Sequence, residues 1–290
     1  MLEGIYYVDD LLKVRFGRVQ NNVGYGMTMM SKRPLAYGWA DAAQMAGGTM
    51  LMMADGISVH GTTNGDSGVG TYYDLTIGTL GNNSNFTGNP GSTSIYGRVA
   101  QEINDNSIIG VYAYQAKNYS SDGFGGDAAM YMGGSGMAVP TATNVKANVM
   151  SFDKVSRYGV DFAYNYGEPF QIWGAYTVGY QTSTAVTKDK LKTTAFTLAS
   201  EWKFTDKDLL GVKYDSSNTE LKMLTNKVLR PQTTINATLF GIHQLAENVQ
   251  AVLSVTRTSN QIDAMYAGGG QTKAAQSSFT TGLLAIDIAL

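Results

Sequence analysis

Apolar and polar residues alternate one by one along much of this chain, in runs separated by short polar turns. In 157–167, Tyr158, Val160, Phe162, Tyr164 and Tyr166 alternate with Gly159, Asp161, Ala163 and Asn165. In 171–181, Ile172, Gly174, Tyr176, Val178 and Tyr180 share one face, and Gln171, Trp173, Ala175, Thr177 and Gly179 share the other. A third run sets Phe196, Leu198, Trp202 and Phe204 against Thr197, Glu201 and Lys203. Successive strand side chains point to opposite faces, so each run reads as a strand with one apolar and one polar side. Strand-like runs fall at 3–8, 11–20, 54–62, 69–80, 92–103, 107–117, 157–167, 169–182, 192–204, 208–216, 233–244, 248–258 and 278–290. In the last of them Leu284, Ile286, Ile288 and Leu290 share a face.

Soluble sandwiches alternate too, but these strands run to about ten residues and carry aromatics at the ends of the apolar face, the signature of a membrane barrel. Tyr166, Phe170, Trp202 and Phe204 flank short turns, while Tyr158 and Tyr180 sit at the opposite strand ends, as two interfacial girdles require. The expected fold is therefore all-β, a transmembrane antiparallel β-barrel forming a single domain over 1–290, with lipid outside and water inside. Short connections (at Asp9-Asp10, 104–106, 167–168, 205–207 and 246–248) alternate with longer ones at 21–53, 81–91, 118–156, 183–191, 217–232 and 259–277. That asymmetry matches short periplasmic turns and longer extracellular loops. Because bacterial barrels have even strand numbers, about 13 strands here predict an N-terminally truncated copy of a barrel of about 14–16.

Composition narrows the function. Only 15% of residues are charged, below the roughly 25% of soluble domains. No apolar run is long enough for a membrane helix, so a spanning chain must use a closed barrel. A net charge of −2 argues against nucleic acid as a partner. Cysteine is absent, which removes disulfides, thiol catalysis and thiolate metal sites. The first residues enter a strand pattern without a signal peptide, although an outer-membrane protein must be exported.

The segment EGIYYVDDLLKVRFGRVQNNVGYG resembles the strand–turn–strand of Gram-negative porins that leads into a long loop. RPLAYGWADAA and ADGISVHGTTN continue the resemblance, which is to the porins grouped with the phosphate-selective ones. It implies a bacterial outer-membrane location, a homo-oligomer (a trimer) in the lipid bilayer, and passive diffusion of small polar or ionic solutes without a cofactor.

With the apolar face outward, the inward residues expected to line a pore are Lys13, Arg15, Arg98, Glu102, Asp161, Glu201, Lys203, Lys213, Asp215 and Asp287, together with Tyr72, Asp74, Tyr96, Asn165 and Gln250. An Arg or Lys facing lipid at the midplane costs about 2–4 kcal/mol, so these charges must face water or one another. Basic and acidic positions nearly cancel, which predicts weak ion selectivity. Loop 21–53 holds Met27, Met29, Met30, Met45, Met50, Met52 and Met53, beside Tyr25, Tyr37 and Trp39. So apolar a loop is expected to fold inward as a constriction, carrying Lys32, Arg33, Tyr37 and Trp39, or to lie between protomers. Loop 118–156 is the second candidate.

Catalytic signals are poor. Gly65-Asp66-Ser67-Gly68 resembles a protease nucleophile tetrapeptide but reads as a Gly/Asp turn. Only His60 and His243 exist, too few for a His-rich metal cluster, and no catalytic residue, metal or enzymatic activity is expected. Two other functions fit the same pattern. One is a barrel sleeve around a partner such as an electron-transfer cytochrome, with room made by Gly159, Ala163, Ala175 and Ala199. The other is a soluble secreted β-rich glycan-binding module using exposed Tyr and Trp.

Overall fold

The computed structural model describes residues 3–9, 11–20, 53–63, 69–80, 93–117, 154–165, 169–182, 190–222, 228–262, 266–267, 270–271 and 275–288. The Met-rich loop 21–53, apart from Met53, and most of loop 118–156 lie outside them. The strands are β1 (Glu3–Tyr7), β2 (Lys13–Gln20), β3 (Met53–Thr62), β4 (Thr71–Leu80), β5 (Thr93–Asn104), β6 (Ser107–Lys117), β7 (Lys154–Tyr164), β8 (Phe170–Thr182), β9 (Lys190–Lys203), β10 (Asp208–Lys222), β11 (Val228–Ala246) and β12 (Val249–Ile262). A small hairpin of β13 (Tyr266–Ala267) and β14 (Gly270–Gln271) precedes β15 (Ala275–Ile288). Thirteen of these strands form one antiparallel sheet in chain order, β1 to β12 and then β15, and its edges are β1 and β15.

Each alternating run became a strand because its two faces meet two environments. Apolar side chains lie exposed on the outer face: Ile57, Leu75, Ile95, Val99, Val111, Val160, Leu198, Val212, Leu239 and Leu253. Polar and charged ones lie buried on the other: Arg15, Asp74, Arg157, Asp161, Glu201, Lys213 and Asp215. This inverts a soluble protein and excludes a sandwich, whose apolar faces would meet each other. The aromatic girdle is present at the short-turn end. Phe170 pairs directly with Trp202, and the rings of Trp202 and Phe204 lie 5.8 Å apart. Tyr164 joins them, exposed on the same face. Tyr166 lies outside the described residues.

The short turns close through their own polar side chains. Asp9 Oδ1 accepts the Leu11 amide at 2.9 Å, and Asn104 Oδ1 accepts the Asn106 amide at 3.0 Å. Thr205 Oγ1 accepts the amides of Lys207 and Asp208 at 3.1 and 2.9 Å. Such side-chain turns let a strand reverse within a few residues. Asn165, expected in a strand facing inward, instead holds a turn with φ 53°.

Strands β10 to β12 outrun the alternation. β10 continues to Lys222 and β11 begins at Val228, so the 217–232 connection shrinks to 223–227. β12 likewise reaches Ile262. The register of β10 on β11 slips between Thr219 and Leu221, beside Pro231, which has no amide to give the ladder.

The pairing is staggered. One hydrogen-bonded row starts at Lys13, the first residue of β2, and runs through His60, Asp74, Arg98, Tyr112, Gly159, Thr177, Ala195, Ser217 and Thr234 to Asn260, near the end of β12. On β2 to β4 the backbones crowd at Gly17, Gly56 and Gly78, which pair in one row. Gly17 has φ 105°, open mainly to glycine. A Cβ on Gly78 would lie 2.6 Å from the Asp55 carbonyl oxygen, and that oxygen cannot step aside without its strand. Gly78→Ala should therefore destabilise the sheet by about 1–3 kcal/mol. A lower urea midpoint in detergent or vesicles checks this; an unchanged midpoint refutes it.

Candidate functional site: the inward wall

From β2 to β8 the inward face is braced by contacts that reach across a whole strand. Arg15 on β2 donates from Nη2 to Asp74 Oδ2 on β4 at 3.1 Å and to Ser58 Oγ on the intervening β3 at 3.1 Å. Ser58 Oγ donates in turn to Asp74 Oδ1 at 2.8 Å. Arg98 on β5 grips Asp161 on β7 with both arms of its fork, Nε to Oδ2 at 3.0 Å and Nη2 to Oδ1 at 2.6 Å. Bidentate charge-assisted bonds of this kind are the strong ones. The pair passes over Gly110 on β6. Tyr112 on β6 repeats the device without charge: its ring lies over Gly159 on β7 and its hydroxyl bonds Thr177 on β8.

Other ionised groups are held within the wall. Lys213 Nζ lies 3.0 Å from Asp215 Oδ2, and Thr197 Oγ1 donates to Asp215 Oδ1 at 2.7 Å. Glu102 accepts the Gly70 amide at 2.9 Å and the Tyr72 hydroxyl at 3.0 Å. Glu201 accepts from Gln171 Nε2 at 2.5 Å. Arg157 is fully buried, its guanidinium 5.8 Å from the centre of the Tyr114 ring, a cation–π contact. On β11 and β12 the polar groups of the inward face are neutral hydroxyls and amides. Thr238 and Thr256 Oγ1 lie 2.9 Å apart, Thr258 Oγ1 donates to Asn236 Oδ1 at 2.8 Å, and Thr234, Ser254 and Asn260 are buried beside them.

Of the residues expected to line a pore, Arg15, Arg98, Glu102, Asp161, Glu201, Lys213 and Asp215 stand on this face, with Tyr72, Asp74 and Tyr96. Lys13 stands at its short-turn margin with Nζ 5.3 Å over the Tyr7 ring. Lys203, the last residue of β9, leaves the wall for the turn, where it pairs with Asp206 at 3.5 Å. Asp287 stands opposite Gln250 in the ladder. Lys32, Arg33, Tyr37 and Trp39 lie outside the described residues, as does the tetrapeptide 65–68. Arg157, Ser58, Gly110, Tyr112 and Thr177 are the additions. Parity could have found Arg157, which keeps step with Asp161; nothing local marks the others as bracing partners.

The two histidines are far apart. His60 is on β3, and His243 on β11 meets Asp208 Oδ1 at 2.7 Å at an exposed turn. Among the described residues no group of His, Cys, Asp and Glu is placed to hold a metal ion. Of the small residues that could have made room for a sleeved partner, Gly159 is covered by the Tyr112 ring, and Ala163 and Ala199 are buried.

No protein-family model matches the chain, and no curated protein matches it in sequence. Solved structures do match in shape. The trimer form of OmpT from Vibrio cholerae superposes with a TM-score of 0.57 at 12% identity over 96% of this chain and 77% of that one. An anion-selective porin from Comamonas acidovorans gives 0.53 at 14% identity over 97% and 75%. The outer membrane channel DcaP of Acinetobacter baumannii gives 0.52 at 7% identity over 94% and 71%. At such identities the likeness establishes the architecture alone: this chain has the fold of the outer-membrane β-barrels.

Proposed function

We propose that the protein is a porin of the bacterial outer membrane, a passive diffusion channel for small polar or ionic solutes that works as a homo-oligomer, a trimer, with no covalent chemistry. The observation that carries this is the inverted wall, with ionised and hydroxyl-bearing side chains inside and a belt of aliphatic and aromatic ones outside. Lipid explains the outer face and a polar lumen the inner one. The naming of two of the solved relatives as a porin and a channel, and of a third as a trimer, supports the reading.

Selectivity is weak. The phosphate-selective porins that the opening segment resembles would call for cations turned toward the solute, whereas Arg15, Arg98 and Lys213 each meet a carboxylate. Paired charges cancel within about a Debye length, near 10 Å at 0.1 M salt. The protein reconstituted in planar bilayers should give stable conductance steps with nearly equal cation and anion permeability. Strong anion preference, or current blocked by phosphate, refutes the weak selectivity; a folded protein that carries no current refutes the channel.

A further inference from the structure

The bond between Arg98 and Asp161 has an unusual seat. Asp161 is paired in the ladder with Gly110, which is paired in turn with Ala100, so the Arg98 fork must cross Gly110 to reach β7. A Cβ built on Gly110 would lie 2.9 Å from Arg98 Nη2, 2.9 Å from Asp161 Oδ2 and 3.0 Å from the Ala100 Cβ. The two nearest atoms are the far ends of side chains. A methyl group at position 110 therefore displaces the ion pair before it strains the backbone. Gly78 is the opposite case, because its nearest neighbour is a carbonyl oxygen.

We propose that Gly110 is a specificity-determining position, which keeps Arg98 flat against the wall and neutralised, and that a side chain there turns the channel toward anions. The inference rests on the channel reading above. The asymmetry of the two partners sets its sign. Asp161 is short, with its side chain 1% exposed; Arg98 is long and 11% exposed. Once the fork is lifted off, the carboxylate stays in the wall while the guanidinium swings into the lumen. An unneutralised charge in a narrow aqueous passage raises the local concentration of its counter-ion. Arg98 is held to Asp161 by two hydrogen bonds, while Asp74, its neighbour in the ladder, is taken up by Arg15 and Ser58.

The test is the reversal potential of single channels in a salt gradient, for wild type, Gly110→Ala, Gly110→Val, Asp161→Asn and the double variant Gly110→Val with Arg98→Gln. Gly110→Ala should raise the anion-to-cation permeability ratio by about threefold, the change that a wall potential altered by about half of RT produces as anions gain and cations lose, and Gly110→Val by more. Asp161→Asn should move the ratio in the same direction, because it frees Arg98 without adding bulk. The double variant should lose the shift, since the displaced charge is gone. Unchanged ratios in conducting Gly110 variants overturn the inference, and so does a shift that survives Arg98→Gln. A Gly110→Ala chain that fails to fold overturns the claim that the pair yields before the backbone; Asp161→Asn then still reports on Arg98. Wild-type protein that folds but carries no current overturns the channel reading instead, and is told apart by that absence of current.

Discussion

Val160→Arg should prevent assembly of the barrel, and Thr256→Arg should leave it intact. Val160 stands on the outer face with 47% of its surface exposed, between Val111 and Tyr176 in the ladder. A guanidinium there meets lipid and costs about 2–4 kcal/mol near the midplane. That is a large part of a typical folding free energy of about 5–15 kcal/mol. Thr256 faces inward on β12 among hydroxyls, opposite Thr238, where an added charge meets water. Alternation alone nominates Ala163 as the inward control, but Ala163 is buried opposite Trp173 and Ile108, so an Arg would fail there by overpacking. The check is the yield of the compact, heat-modifiable form after refolding into vesicles. Equal yields for Val160→Arg and Thr256→Arg would mean that the two faces are reversed.

Asp74→Ala should be the most damaging single truncation within the inward wall. It removes the carboxylate that both Arg15 and Ser58 bond, and takes that contact from the Arg15 guanidinium, whose side chain is only 9% exposed. Breaking a buried pair from one side costs about 3–5 kcal/mol. Replacing both partners by apolar groups of similar size, Arg15→Met with Asp74→Leu, should recover most of that loss, because the desolvation of both charges disappears along with their attraction. Urea unfolding of the four proteins of this double-mutant cycle measures the coupling. Additive losses would show that lumen water screens the pair and that its geometry contributes little to stability.

The architecture was legible in the sequence wherever the two faces of a strand differ. Tyr158 to Tyr164 alternate with Gly159 to Ala163 because one set meets lipid and the other does not, and that contrast gave strand, face and count together. It fades where both faces are polar. Ser217 to Glu220 carry no apolar beat and Pro231 interrupts 228–232, so the outer ends of β10 and β11 read as loop although the ladder continues through them. The inward charges were legible one at a time, by parity with known inward neighbours. Their partners were not. Arg98 and Asp161 are 63 residues apart, and the strand between them in the sheet offers only Gly110 to mark the crossing. Which residues face each other is set by register, and register depends on connections whose chemistry leaves no trace in a local window.

The stagger of the ladder has a consequence for the depth at which each inward residue stands. Lys13 opens β2 and Asn260 nearly closes β12, yet both belong to one hydrogen-bonded row. Depth in the membrane therefore advances with strand number, and a row is a spiral stair rather than a hoop. Asp74 and Arg98 are direct neighbours in that row, but they stand on successive treads, at different distances from the mouth. A girdle of charge at a single depth can be built only by taking members from several rows in turn. Mutations that follow one row sample successive depths, and mutations chosen at equal distance from the short turns sample a single depth.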